Sequence, residues 1–91
     1  MTGPYEIRLS SSAARALERD LPEAVAAAAW EFIDGALRAN PQRVGKQLRE
    51  PLFPLYSARR GEYRVVYRIE ERVLLIAVVR IMHRRDAYRG S

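Results

Sequence analysis

The sequence predicts an α+β domain in which a helical hairpin packs on one face of a small four-stranded sheet, antiparallel or mixed, with the element order β-α-α-β-β-β. Two patterns support this fold class. Residues 11–37 are rich in helix formers and carry apolar residues at helical spacing, whereas residues 5–9 and 55–81 carry the alternating or continuous apolar runs of strands. Because a chain of 91 residues has room for one hydrophobic core, we expect a single domain over residues 1–91.

The first strand and the first helix are predicted at the start of the chain. Tyr5, Ile7 and Leu9 alternate with polar residues, which indicates a strand with one buried face. The serines at 10–12 then offer hydroxyl groups that can cap a helix, and residues 13–19 are strong helix formers. A short helix therefore follows the first strand directly.

A second helix is predicted from Pro22 to about Leu37. Proline suits the first turn of a helix, where its missing N–H would be unpaired in any case. Apolar residues then recur on one face at helical spacing, namely Val25, Ala29, Phe32 and Ala36. Pro41 ends the helical region, because the residue before a proline is pushed out of helical geometry. Residues 42–54 show no clear period and are predicted to form a loop.

A β-hairpin is predicted after this loop. Residues 55–60 and Tyr63–Glu70 flank the Gly-Glu pair at 61–62, and a two-residue connection with glycine first suits a type II′ turn. Alternation along the second of these strands puts Arg64 and Arg68 on one face, opposite the aromatic and aliphatic residues.

The last predicted strand covers residues 73–81, which are apolar except for Arg80. A run of this kind is typical of a strand that is buried on both sides. We therefore expect this strand at or near the centre of the sheet.

Positive charge is concentrated in the second half of the chain. The net charge of +5 divides into −1 over residues 1–45 and +6 over residues 46–91. Lys46 is the one lysine among sixteen basic residues, and the others are arginines, whose planar guanidinium groups bind phosphate in a bidentate manner and stack on bases. The choice of arginine over lysine could reflect codon composition alone, but the asymmetry indicates a polyanionic partner.

Several classes of protein and site are disfavoured by composition. The chain has no cysteine and one histidine, so we expect no disulfide and no metal or other cofactor. The longest apolar run is far shorter than the ~20 residues that span a membrane, and the N-terminus lacks the pattern of a signal peptide. A cytoplasmic location and no membrane partner are expected.

The remaining reactive side chains suit the cleavage of RNA. Metal-independent cleavage needs a base for the ribose 2′-hydroxyl, cations for the charged phosphorus intermediate, and an acid for the leaving oxygen. Arg64 can stabilise the phosphate, and His83 or Tyr88 can transfer protons. Each also has a structural interpretation: Arg64 as a solvated residue on an open sheet face, His83 as a packing residue, and Tyr88 as a cover for a sheet edge.

Two segments carry a family resemblance. Ser-Ala-Arg-Arg-Gly-Glu-Tyr-Arg-Val-Val-Tyr at residues 57–67 and His-Arg-Arg-Asp-Ala-Tyr-Arg at residues 83–89 resemble the hallmark stretches of RelE-type toxins in the RelE/ParE superfamily. Val-Gly-Lys-Gln-Leu at residues 44–48 and the order of elements are also similar, so the resemblance spans nearly the whole chain.

The resemblance implies a metal-independent endoribonuclease that cuts mRNA on the ribosome and is held inactive by a cognate antitoxin protein. It implies that Arg64 holds the transition-state phosphate and that Arg84 stabilises charge or assists the leaving group. Tyr88 would stack on a base and position or deprotonate the 2′-hydroxyl, and His83 is the alternative general base or acid.

One departure from the family pattern concerns the strand before the hairpin. Some members carry two lysines there, at the positions of Leu55 and Ser57 in this sequence. We expect RNA contacts from the neighbouring cations instead, and the residues assigned to RNA binding are Lys46, Arg49, Arg59, Arg60, Arg68 and Arg85. The antitoxin is expected to present an acidic, partly helical segment to this surface.

Two other functions are compatible with the sequence. ParE-like toxins are similar in fold and tail but bind DNA gyrase without cutting RNA; Arg64 together with Tyr88 favours the nuclease. A plain RNA-binding module would need only the charge, and in that case substitution of the same two residues would weaken binding without a separate loss of turnover.

Overall fold

The structure is a computed structural model that describes residues 4–84. In the order of the chain, the elements are β1 (Glu6–Leu9), α1 (Ser11–Arg15) with a π-helical continuation (Ala16–Asp20), α2 (Glu23–Phe32) with a π-helical continuation (Ile33–Leu37), α3 (Pro41–Val44), β2 (Lys46–Gln47), β3 (Tyr56–Arg60), β4 (Tyr63–Glu70), a 3₁₀ turn (Glu71–Val73), and β5 (Leu75–His83). The α+β class, the helical hairpin and the predicted hairpin turn are confirmed, with Gly61 at φ +54°.

The sheet has the strand order β1-β5-β4-β3-β2. β1 pairs with β5 in parallel, and the other neighbours pair antiparallel. The last strand thus lies between β1 and β4, which confirms its predicted central place. The sheet is mixed because its first and last strands in sequence run in the same direction.

The core forms between the helices and one face of the sheet. Short and branched residues of α1 and α2 pack on alternate residues of β4 and β5, and the fully buried members include Ala13, Ala29, Ile33, Leu37, Val65, Tyr67, Ile76 and Val78. The alternation predicted for β4 is confirmed, with Val65 and Tyr67 buried and Arg64 and Arg68 exposed. On the opposite face of β4, Arg64 and Arg68 are exposed and Val66 is half-buried, so the described helices leave this face uncovered.

The predicted loop at residues 42–54 is wrong at its beginning. Pro41 starts the short helix α3, and Lys46 and Gln47 form a fifth strand that pairs with Ser57 and Tyr56 of β3. The sequence predicted four strands because a strand of two residues has no detectable period. Buried Tyr67 holds this segment, since its hydroxyl donates to the Pro41 carbonyl oxygen at 2.6 Å.

A β-bulge shifts the last strand by one residue. Val66 pairs with Arg80, but the next residue of β4, Tyr67, pairs with Val78, so Val79 is the extra residue. Simple alternation from Ile76 and Val78 would have put Arg80 towards the helices. The bulge instead buries Ile81 and exposes Arg80 on the uncovered face.

Candidate nucleic-acid interface

The uncovered face of the sheet carries its side chains in cross-strand rows. The register places Arg59, Arg64 and Met82 in one row, which we call the hairpin row because it lies next to the β3–β4 turn. Lys46, Ser57, Val66 and Arg80 form the next row, which we call the middle row. The third row contains Arg68, Ala77 and Arg8. Cations from all five strands therefore share one face.

An open cleft of about 510 Å³ lies at the hairpin end of the sheet. It is lined by Arg59, Gly61, Tyr63, Arg64, Met82, His83 and Arg84. The Arg84 N–H donates to the Glu62 carbonyl oxygen at 2.7 Å, which continues the β4–β5 pairing one residue beyond β5. This bond places Arg84 beside the hairpin row, so the structure brings together three arginines that the sequence had assigned to chemistry or RNA binding.

The arginines of the cleft have no anionic partner in the described part of the chain. Within residues 4–84, the ion pairs of arginine are Arg38 with Asp34 and Arg68 with Glu70, at 2.7 and 2.6 Å. Arg59 and Arg64 are directly opposite each other in the register of β3 and β4. Two like charges placed in this way attract a polyanion and destabilise the empty sheet.

Three of the arginines assigned to RNA binding have other surroundings. The Arg60 guanidinium lies over the Phe32 ring at 4.7 Å and donates to the Val44 carbonyl oxygen at 3.0 Å, so it is directed towards the helices. Arg68 is on the uncovered face but is paired with Glu70. Arg49 is exposed in the β2–β3 connection, outside the lining of the cleft.

Lys46 and Arg80 belong to the middle row, one row from Arg64. Lys46 is exposed at the sheet edge and lies opposite Ser57. Arg80 was not assigned to RNA binding from the sequence, because its exposure depends on the bulge. Its signal was a single charged residue in an otherwise apolar strand.

His83 is at the rim of the cleft and is largely buried. Its side chain is opposite Tyr63, on the helix side of the sheet, and 8% of the residue is exposed. The imidazole Nε2 lies 3.5 Å from the Glu62 carboxylate. Arg85 and Tyr88, the other two tail residues assigned from the sequence, lie outside the described residues.

The two buried tyrosines of β4 are poor proton acceptors. Burial raises the pKa of Tyr67 well above its usual value, an effect that nearby Tyr56 increases and Arg60 opposes. Burial also raises the pKa of Tyr63, whose hydroxyl donates to the Ala28 carbonyl oxygen at 3.3 Å. Neither phenol can serve as a base near neutral pH.

Residues 4–84 offer neither a metal-binding cluster nor a membrane-spanning helix. Three or more His, Asp or Glu side chains do not come together anywhere in this range in a way that could hold a metal ion. None of the helices in this range is long and apolar enough to cross a membrane.

Comparisons with known proteins agree with the fold. The profile of a family described as the ParE toxin of the type II toxin–antitoxin system parDE matches residues 7–88. Toxin RelE of Mycobacterium tuberculosis (strain ATCC 25618 / H37Rv) is 48% identical over 86 residues, covering 94% of this chain and 88% of that protein. Toxin RelG of the same strain is 44% identical, covering 94% of this chain and 98% of that protein.

Two solved structures are similar as well. The toxin–antitoxin complex RelBE2 from M. tuberculosis contains a chain that matches with a TM-score of 0.85 and 42% identity, covering 94% of this chain and 98% of that one. The archaeal RelE–RelB complex from Pyrococcus horikoshii OT3 matches with a TM-score of 0.69 and 27% identity, covering 92% and 97%.

Proposed function

This chain belongs to the ParE toxin family within the RelE/ParE superfamily of type II toxin–antitoxin systems, and we propose that it is a ribosome-dependent mRNA interferase. The proposed reaction is metal-independent endonucleolytic cleavage that inhibits translation. The observation that carries this proposal is the cluster of Arg59, Arg64 and Arg84 around one open cleft.

The cluster suits the charge that develops during RNA cleavage. When the 2′-oxygen attacks the scissile phosphorus, the phosphorus becomes pentacoordinate and its non-bridging oxygens gain negative charge. Arg64 projects from a regular strand, and Arg84 is held beside it by a backbone hydrogen bond to Glu62. Donors fixed in this way need little rearrangement when the charge appears.

The reaction also needs two proton transfers. A base removes the 2′-hydroxyl proton, the P–O5′ bond breaks as the 2′,3′-cyclic phosphate forms, and an acid protonates the departing 5′-oxygen. Tyr88 and His83 are the proposed proton-transfer residues, and His83 borders the cleft. Arg84 assists by stabilising the leaving oxygen.

Cleavage of a message on programmed ribosomes tests the proposal. The purified protein should cut the message within the decoding region, and Arg64→Ala should lower the maximal rate by about a hundredfold or more. Arg72→Ala is the matched control, because Arg72 is an exposed arginine in the turn before β5, at the far end of the sheet. Equal rates for both variants would contradict the assignment of Arg64.

The proton-transfer residues can be separated by the same assay. A residue that transfers a proton contributes about 10² to 10⁴ in rate, so Tyr88→Phe and His83→Gln should differ from each other if one of them is the base. The pH dependence of the maximal rate should lose one limb in the variant that lacks the essential group. Retention of the full rate by both variants would remove both from the mechanism.

Inhibition of DNA gyrase is the second candidate function, and the description of the matching family as a ParE toxin favours it. A supercoiling assay with purified gyrase distinguishes the two. Blocked gyrase with an intact message would support the gyrase function and contradict the nuclease.

We also propose an antitoxin partner for this chain. One similar solved structure is a toxin–antitoxin complex and the other is a RelE–RelB complex. The unpaired charge of Arg59 and Arg64 suits an acidic, partly helical segment of the antitoxin. Co-expression with the cognate antitoxin should restore growth, and a chain that is harmless when expressed alone would contradict the toxin function itself.

A further inference from the structure

The middle row holds two exposed cations that the chemistry of the cleft does not use. Lys46 stands at the β2 end and Arg80 at the β5 end, with Ser57 and Val66 between them. Adjacent strands are about 4.8 Å apart, so the two ends are separated by roughly 14 Å at the backbone. Long cationic side chains thus flank a centre of short ones.

Two hydrogen bonds from Ser10 lie at the bulge that exposes Arg80. The Ser10 N–H donates to the Val78 carbonyl oxygen at 2.9 Å, and the Ser10 hydroxyl donates to the Val79 carbonyl oxygen at 2.6 Å. Both bonds attach the junction of β1 and α1 to the bulged residues. The backbone of the bulge next to Arg80 is therefore anchored to the start of α1.

The middle row is the natural continuation of the cleft. On one strand, successive residues of the same face are about 6.6 Å apart, so the hairpin row and the middle row are separated by that distance. In the third row, Glu70 neutralises Arg68 at 2.6 Å. That pairing leaves Arg8 as the one unpaired cation among the residues named in the third row, against two in the middle row.

This arrangement fits a single-stranded polyanion with regularly spaced charges. Proteins bind single-stranded nucleic acid through a cationic groove that follows its backbone. An arginine can bind a phosphate with two hydrogen bonds, and a lysine acts as a point charge. Ser57 adds a hydroxyl group at the centre of the row, which can also donate to phosphate.

We propose that the middle row, with Arg80 as its main contact and Lys46 in support, binds the phosphate next to the scissile one in the message. This proposal rests on the proposed nuclease function and adds a specific binding site to it. Arg64 acts on the reacting phosphate, whereas Arg80 holds the flanking nucleotide and positions the strand across the sheet. Arg80 therefore controls binding of the message more than the chemical step.

Single-turnover cleavage on programmed ribosomes, with the toxin in excess, separates these two effects. Arg80→Gln should raise the toxin concentration for half-maximal rate by about tenfold, as expected for the loss of a charge-assisted hydrogen bond, and change the maximal rate by less than about threefold. Arg80→Lys should restore part of the loss, and Arg72→Gln should match the wild type. Arg64→Ala should show the reverse pattern, with its main loss in the maximal rate.

A message with one neutral methylphosphonate linkage identifies the phosphate that Arg80 contacts. The linkage should be moved through the positions on either side of the cleavage site. At the contacted position, the neutral linkage should raise the half-maximal concentration of the wild type by about tenfold. It should hardly change that of Arg80→Gln, because this variant has already lost the contact with the phosphate. Additive effects at every position would overturn the proposal, as would an unchanged half-maximal concentration for Arg80→Gln.

Other outcomes would show that the middle row binds the antitoxin, or that the protein does not cut RNA. If Arg80→Gln weakens binding of the antitoxin but not of the message, the row belongs to the protein partner and the proposal is wrong. If the wild type cuts no message at all, the nuclease function fails, and the site fails with it. Cleavage with additive effects overturns the flanking-phosphate site and leaves the nuclease function in place.

Discussion

Arg59 and Arg64 are directly opposite each other in the antiparallel register of β3 and β4. Both side chains are exposed on the uncovered face of the sheet and line the same cleft. Like charges at opposed positions of a β-ladder destabilise it, so this pair lowers the stability of the empty protein. An anion bound between the two guanidinium groups would reverse the sign of that contribution.

Replacement of Arg59 by glutamate should separate stability from function. Arg59→Glu exchanges repulsion for attraction and should raise the free energy of unfolding by about 0.5 kcal/mol at low salt. The same substitution should lower RNA cleavage, because it puts a negative charge beside Arg64. Urea denaturation at low and high salt measures the first effect, and the gain should shrink as salt screens the pair.

Arg72→Glu is the control for this experiment, since Arg72 lies in the turn before β5 and belongs to none of the three cross-strand rows. A variant Arg59→Glu that is less stable than the wild type at low salt would show that repulsion in the native register is not the dominant effect.

Gly45 is required by the close approach of Tyr67. A Cβ at residue 45 would overlap the Tyr67 hydroxyl and lie 3.1 Å from the Ser57 carbonyl oxygen. Gly45→Ala should therefore lower the free energy of unfolding by about 2 kcal/mol through overpacking. Tyr67→Phe removes the overlapping hydroxyl together with its bond to Pro41, at a cost of about 1 kcal/mol.

The double variant should consequently lose less stability than the sum of the two single changes. Chemical denaturation of the four proteins gives the coupling between these sites. Strictly additive losses would show that residue 45 and Tyr67 do not compete for the same space.

Buried Tyr67 should make the protein less stable in alkali. Burial raises the pKa of Tyr67 in the folded state, whereas the unfolded chain has the ordinary tyrosine value near 10. The contribution of Tyr67 to the free energy of unfolding is fully present below about pH 10. It is lost as the pH rises above about 10, because there the unfolded chain releases the phenol proton and the folded chain retains it. The free energy of unfolding should fall above about pH 10, and more gently in Tyr67→Phe.

The ultraviolet absorbance of tyrosinate checks the assignment independently. Tyr67 should resist ionisation until the protein unfolds, and the delayed part of the tyrosine titration should be smaller in Tyr67→Phe by one residue. Ionisation of all tyrosines in the native protein near their usual pKa would contradict the burial argument.

Ser10 should affect both stability and the position of Arg80. Its hydroxyl accepts the Ala13 N–H at 3.0 Å as the cap of α1 and donates to Val79 at the bulge. Ser10→Ala should cost about 1 kcal/mol for the lost cap and should also weaken binding of the message through the bulge. Ser11→Ala is the matched control, because exposed Ser11 makes no side-chain hydrogen bond in the structure.

Thermal unfolding and the single-turnover assay measure the two effects of Ser10. A loss of stability without any change in half-maximal concentration would show that the bulge persists without the hydroxyl group.

The local pattern of the sequence predicted the elements that carry Arg64. Alternation in β4 assigns Arg64 and Arg68 to one face, and glycine at the turn selects the hairpin that brings β3 beside it. Both properties depend only on the backbone geometry of a few residues. Because successive side chains of a strand point to opposite faces, they are visible in the sequence as a period of two. The charge asymmetry similarly indicated that the functional surface lies in the second half of the chain.

Tertiary contacts decided the features that the periodicity of neighbouring residues does not predict. β2 is recognisable only by its pairing with β3. Arg80 reaches the uncovered face through the bulge at Val79, a residue that accepts a hydrogen bond from Ser10, sixty-nine residues away. Arg60 is adjacent to Arg59 in sequence but is directed to Phe32 on the other side of the sheet. The sequence by itself thus determined which strands carry the cations, whereas long-range hydrogen bonds and register decided which cations share a face, because those contacts join residues that no local pattern relates.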